Sequence, residues 1–450
     1  MRLPELFGPM KITLTLSTLG TALVMATTLA SPSVADRLDA SQFYEFDPAK
    51  ARIGQLLFYD KILSGNKNIS CATCHHHDMA GTDSVSLGIG EGGVGLGPTR
   101  LSPEGLDKIS ARIPRNAPAL WNIAHKDITN LFHDGRVAVS DKYAGGFDTP
   151  AKDLLPTGLD TIIAAQALFP MTSADEMAGG AHENPIGAAV AKRIDLGWAE
   201  ITNRVRDIPA YTQMITAAYP EVNGPDDLTI VQIVNSIAAF IGSEWQSYDS
   251  VYDAYVTQGK PLQEEAERGR ELFFGEAHCV ACHNGPLFSD QQFHAMAIPQ
   301  FGPGRTDKYD PVPRDVGRMF ATSNLLDAYK FRTPSLRNVA LTGPYGHNGA
   351  YSDLKDMIRH MADPVAMRAS WTPDKATLPR VPWLQSTDFR VQSDALEMAR
   401  QAAIVDTQPV HLSEQDIIDI EAFLNCLTGE TAQSRPLGRP DSVPSGLPVD

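Results

Sequence analysis

Positive charge is what this sequence has least of. Lysine and arginine number 38 against 54 aspartates and glutamates, a formal net charge of -16. Such a surface repels phosphate backbones, so nucleic acid is excluded as an expected partner. It attracts a basic electron-carrying protein, although a surface that merely keeps the chain soluble explains the same charge. Apart from one apolar stretch near the start, long hydrophobic runs are missing, so no later membrane span is expected. Strand-like alternation is scarce, which argues against a β-rich fold. Cysteine is sparse as well. There are five, four of them in two close pairs, which leaves no disulfide framework; Cys426, left over, reads as a small buried hydrophobe.

With 43% hydrophobic and 20% charged residues, the chain is a folded protein rather than a disordered one. Its 450 residues suit two compact domains better than a single core. At the start, Lys11 precedes an apolar stretch over residues 12–30. Ser33-Val34-Ala35 before Asp36 then has the small-residue form of a cleavage site. Residues 1–35 therefore read as a secretory signal peptide, and the mature protein as periplasmic. The expected division is an N-terminal domain over 36–255, a C-terminal domain over 256–430 and a flexible proline-rich tail over 431–450.

Cys71-Ala72-Thr73-Cys74-His75 and Cys279-Val280-Ala281-Cys282-His283 both have the form of a c-type haem attachment site. The paired thiols would form thioethers with the porphyrin vinyls, and His75 and His283 would each bind iron. A zinc site would pool both pairs in one centre, and a redox dithiol does not need the following histidine. Each motif follows a helical pattern, over 49–58 and 263–274, which makes a weak internal repeat. Strong helical spacing also marks 227–246, and a closing helix runs from an N-cap at Ser413 to a stop at Gly429. Loops rich in glycine and proline occupy 88–103 and 299–316, and residues 362–411 take no role from their pattern.

The chain resembles the bacterial di-haem cytochrome c peroxidases and their MauG-type relatives. The resemblance rests on Ile69-Ser70 with the first attachment motif, Arg115-Asn116-Ala117-Pro118-Ala119-Leu120, Asp134-Gly135-Arg136 and Glu176-Met177. It continues through the run from Phe331 to Thr342 and through Pro344-Tyr345 with His347 and Gly349. It implies an all-α fold of two cytochrome c-like domains, with the haem on His75 reacting with peroxide and the haem on His283 passing electrons. It also implies Met361 as the second ligand of the latter, a pairing that raises a haem potential. Glu176 matches the family's catalytic acid and Gln166 its partner. A carboxylate whose pKa is raised by desolvation can shuttle the peroxide proton. A calcium ion would be bound by Asn116 and the carbonyls of Thr342 and Pro344, an all-oxygen set that suits a hard cation.

Two departures from the family pattern stand out. Glu91 occupies the loop position where the best-known members carry a histidine that blocks the first haem. His76 and His77 start on the wrong side of the ring to replace it, and His182 is the remaining rival. His133 stands where the family has a tryptophan between the haems, and Trp121 is the candidate to take over that bridging role. The leading expectation is peroxide reduction with electrons from a small periplasmic cytochrome or copper protein, in a possible homodimer. A MauG-like oxidase that modifies a partner protein, or a plain di-haem electron carrier, are the alternatives.

Overall fold

The computed structural model describes residues 37–306, 312–432, 434 and 437–450. The expected signal peptide lies outside them. Among the described residues no helix is long and apolar enough to cross a membrane. The architecture is helical, with a three-stranded antiparallel sheet and a two-stranded one as minor additions.

Helix α1 (Pro48–Tyr59) starts where Asp47 accepts hydrogen bonds from the N–H groups of Ala49 and Lys50 and a proline fills its first position. The attachment turn α2 (Cys71–Cys74) follows, and α3 (Ile162–Ala167) lies across the same region. Helix α4 (Ile230–Glu244) is capped by Thr229 and Gln232 and is buried almost all round. It packs on α1 so closely that a Cβ on Gly54 would lie 1.8 Å from the carbonyl oxygen of Ser236. The second half repeats the arrangement. Helix α5 (Glu264–Phe274) precedes the second attachment motif, and the closing helix α6 (Glu414–Asn425) crosses it. A Cβ on Gly269 would lie 1.8 Å from the carbonyl oxygen of Asp419. The weak repeat in sequence is thus a repeated helix crossing, each made possible by one missing side chain.

Two large hydrophobic cores result. The first gathers α1, α3 and α4 with Trp121, Trp198 and Trp245; the second gathers Tyr252, Phe273, Phe288 and Phe423. A smaller cluster joins Leu87 of the first half to Phe301, Tyr351 and Trp371 of the second. Strands β1 (Asn130–Leu131), β2 (Val137–Val139) and β3 (Phe147–Asp148) form the small sheet. The two-stranded sheet pairs β4 (Phe293–His294) with β5 (Phe331–Arg332), and Arg332 donates its N–H to the carbonyl of His133 at 2.8 Å.

Two segments differ from their sequence reading. The tail expected to be flexible is held against the first half over 437–450. Val443 joins the first core, Lys61 pairs with Asp450 at 2.6 Å, and Ser445 donates to Asp60 at 2.6 Å. Proline-rich composition removes helical options, but it does not prevent docking through backbone groups and the side-chain carboxylate of Asp450. Residues 371–388 acquire a role: they clamp the segments that flank the glycine-rich loop. Thr377 and Ser86 exchange hydrogen bonds of 2.8 Å, Trp383 donates to the carbonyl of Ile109 at 2.9 Å, and Arg112 forms a two-pronged pair with Asp388.

Gly269→Ala should destabilise the protein by about 1–3 kcal/mol despite alanine's better helix propensity, because backbone must move to admit the methyl. Chemical denaturation of the haem-loaded protein measures this, and an unchanged or higher midpoint would contradict the close-crossing account.

Candidate active site

The Ser70 N-cap and Thr73 begin the turn that carries Cys71 and Cys74, and the N–H of His75 closes it on the carbonyl of Cys71 at 3.0 Å. Nδ1 of His75 donates to the carbonyl oxygen of Gly81 at 3.0 Å. Because a carbonyl can only accept, Nε2 is the unprotonated nitrogen, the atom a metal would take. The second motif is built the same way. The N–H of His283 meets the carbonyl of Cys279 at 2.9 Å, and its Nδ1 donates to the carbonyl of Phe288 at 2.9 Å. Burial lowers the pKa of both histidines, which favours the neutral, metal-binding form.

Burial pushes the thiols of Cys71, Cys74 and Cys279 up to about 12. A redox dithiol or a zinc thiolate needs the opposite shift. The neutral thiols of Cys71 and Cys74, beside an oriented imidazole on the wall of one cavity, fit covalent attachment of a porphyrin and ligation of its iron.

The cavity brings most of the predicted first-site residues together. Cys71, Cys74 and His75 line one side, and Gln166 and Glu176 also line it. Gln166 comes from α3. Glu176 comes from a widened turn (Ala174–Ala178) in which the carbonyl of Ser173 receives the N–H groups of Met177 at 3.0 Å and Ala178 at 2.9 Å. Burial raises the pKa of Glu176, and the guanidinium groups of Arg136 and Arg305 partly offset this. A carboxyl so placed can accept and return a proton.

Other candidates fall elsewhere. Glu91 accepts from Asn66 at 2.8 Å and Asn68 at 2.7 Å, and it is not part of the cavity wall. His76 and His77 are turned into the protein, and His182 is exposed. His133 does line the cavity, with Nε2 donating to the carbonyl of Asn116 at 3.1 Å; burial, aided by Arg115, pushes it down to about 4. Trp121 lies in the first core and donates to the carbonyl of Ala80 at 3.0 Å, behind the loop that orients His75. Asn116 gives its Nδ2 hydrogen to the carbonyl of Val85 at 2.8 Å and its N–H to the carbonyl of His347 at 2.9 Å. Its amide oxygen is therefore the end a calcium ion would take. The hydroxyl of Thr342 is occupied by the carbonyl of Val339 at 3.2 Å, which leaves its own carbonyl as the relevant donor. Met361, on the helix Leu354–Ala362, packs with Met296, Met357 and Met367 around Phe301 and Trp371. Its neighbour His360 is committed: Tyr351 donates to Nδ1 at 2.9 Å, and Nε2 donates to the carbonyl of Met296 at 2.7 Å.

Sequence reading missed two groups in the wall. Asp83 is pushed up to about 7 by burial, and Arg305 reaches the first cavity from the second half of the chain. Neither lies in a recognisable motif, and only the fold brings Arg305 there. It joins a buried charge network. Arg115 pairs with Asp134 at 2.7 Å and, through two bonds of 2.7 and 2.8 Å, with Asp315; Arg136 pairs with Asp134 at 3.0 Å. Burial alone would raise Asp134, but Arg115, Arg136 and Arg305 outweigh it and hold its carboxyl below the usual range.

Comparison with known proteins now decides the family. A cytochrome-c peroxidase, IdrP1, of Denitromonas iodatirespirans is 31% identical over 69% of this chain and 71% of its own length. The chain belongs to the di-haem cytochrome c peroxidase family. The family's sequence model, described as di-haem cytochrome c peroxidase, matches residues 48–261, which hold the first attachment motif and Glu176. The methylamine utilization protein MauG of Methylophilus methylotrophus is 28% identical over 72% of this chain and 76% of that protein. A crystal structure of a MauG-like protein associated with microbial copper homeostasis aligns with a TM-score of 0.57 and 26% identity, covering 90% of this chain and 96% of that one. As a di-haem peroxidase family member the protein is an oxidoreductase, and the family implies two haem c groups.

Replacing Cys71 and Cys74 together by serine should lower covalent haem from two groups per chain to one. Mass spectrometry of the intact chain counts them, and retention of both masses would contradict the assignment.

Proposed function

We propose that the protein carries one haem c at His75 and one at His283, in cytochrome c-like domains spanning 36–255 and 256–430. It reduces hydrogen peroxide to water in the periplasm with single electrons from a small cytochrome or copper protein. The observation that carries this reading is the shared cavity: Glu176 and Gln166 line the same cavity as the first attachment motif. A plain electron carrier has no use for a carboxyl group set there. When bound, haem would supply iron that exchanges one electron at a time with peroxide.

The chain's residues supply the rest. His75 would hold iron through Nε2, while Gly81 fixes the ring. Gln166 orients the peroxide with its amide. Glu176 takes the proton from the near peroxide oxygen and returns it to the departing one. Arg136 and Arg305 keep this carboxyl from becoming too weak an acid to do so. Peroxide, two electrons and two protons give two waters. At the second site His283 and Met361 would hold iron, and Asn116, Thr342 and Pro344 would hold calcium.

One observation favours a MauG-like oxidase as the second reading. The histidines lining the first cavity are His75 and His133, and His133 is occupied with Asn116. Among the described residues no other histidine lines this cavity, which supports a first site without a histidine block. Met361 favours the peroxidase, since a His/Met pair suits an electron store. Steady turnover with a reduced small cytochrome separates the two.

Glu176→Gln should slow the reaction with peroxide by about 10²–10⁴-fold while leaving both haems attached. In the wild type the rate should fall on acidification, through a pKa above that of an ordinary glutamate, because the raised group loses its base form there. Stopped-flow rates across pH test this; a flat acid limb, or an unchanged rate in the variant, would contradict the role.

A further inference from the structure

A buried chain of hydrogen bonds lies behind the first attachment turn, and the peroxide mechanism above does not use it. Tyr59 is completely buried, and its hydroxyl is hydrogen-bonded to Nδ1 of His77. Nε2 of His77 lies 2.8 Å from Oε1 of Glu244, which is 2% exposed. The same carboxylate accepts the N–H groups of Leu437 at 2.9 Å and Gly438 at 2.8 Å, supplied by the docked tail. With three donors directed at it, Glu244 is the acceptor and Nε2 of His77 carries the hydrogen. Nδ1 therefore offers a lone pair, and the phenol donates to it.

This chain is in contact with the first site. Phe58, which lines the cavity, has its ring 5.8 Å from that of Tyr59 and 5.4 Å from that of Trp245. The Trp245 ring is 4.9 Å from that of His77, and its indole edge packs against Gly81, whose carbonyl orients His75. Filling a core does not require a phenol, an imidazole and a carboxylate in series, because each must be desolvated and then satisfied. Burial raises the phenol's pKa, so a free phenolate is disfavoured, and oxidation requires a proton acceptor already in place.

We propose that Tyr59 is a redox-active residue that supplies one of the two electrons taken by hydrogen peroxide at the first site. This rests on the peroxide reading above. The O–H bond of Tyr59 breaks, its electron goes to the oxidised first site, and its proton passes along the existing hydrogen bond to Nδ1 of His77. Glu244 balances the charge that appears on the imidazole. The product is a neutral tyrosyl radical. The second electron would come from the iron that His75 would hold, and the electron donor later restores both, with the proton returning from His77 to the Tyr59 oxygen. The oxidising equivalent is thereby held in the protein interior until an electron arrives.

The test uses the haem-loaded protein with the electron donor withheld and one equivalent of hydrogen peroxide, followed by freeze-quench electron paramagnetic resonance and haem absorbance. The expected result is a haem spectral change accompanied by a radical signal that narrows when ring-deuterated tyrosine is incorporated. Tyr59→Phe should lose that signal while its haem spectrum still responds to peroxide. Glu244→Gln, which keeps the shape but removes the balancing charge, should shorten the radical's lifetime, and it provides a second test if Tyr59→Phe does not fold. A haem response with no tyrosyl signal, or with a signal that survives Tyr59→Phe or keeps its lifetime in Glu244→Gln, overturns the relay alone. A wild-type haem that does not respond to peroxide overturns both the relay and the reading on which it rests.

Discussion

The arrangement of the first site depends on one buried guanidinium. Arg115, in the cavity wall, pairs at once with Asp134 and with Asp315, two hundred residues away in the other half of the chain. A buried ion pair is not in itself strong support for stability, since desolvation opposes the attraction. Removing one partner from such a network is costly, on the order of 3–5 kcal/mol, because the others are left as uncompensated charges. The network therefore acts as a register pin. It fixes Arg136 and Arg305 in the wall, and these set the electrostatic surroundings of Glu176.

Around that pin, the second half of the chain secures the first site on two sides. Residues 371–388 grip the segments flanking the glycine-rich loop, whose own backbone is tied by Arg100 to the carbonyls of Ile89, Gly90 and Gly95. The C-terminal tail packs against the attachment turn, with Ser70 donating to the Asp450 carboxylate at 3.2 Å and Lys61 beside it. Loops with so many glycines lose much entropy on ordering. The two straps offset this with side-chain hydrogen bonds and burial, and the site keeps its shape without regular secondary structure.

Much of this was legible in the sequence where chemistry is local. The Cys-x-x-Cys-His motifs, the helices before them and the helix at 230–244 follow from spacing and caps within a few residues. Glu176 and Gln166 could be named only through family resemblance, because nothing in the run Ala174–Ala178 announces a widened turn that opens toward a cavity. Arg305, Asp83, the tail contacts and the clamp at 371–388 were not legible. Each depends on pairings across the fold, such as Asp450 with Lys61 or Trp383 with Ile109, that no local pattern encodes. Composition alone suggested a loose tail, and tertiary hydrogen bonds overrode it.

The central claim is that peroxide reacts at the iron held by His75, in a pocket served by Glu176 and Gln166. Its most direct test is magnetic circular dichroism of the fully oxidised protein before and after one equivalent of hydrogen peroxide. The account predicts one high-spin and one low-spin ferric haem, with the high-spin signature lost on peroxide addition. Two low-spin haems that peroxide leaves unchanged would contradict it.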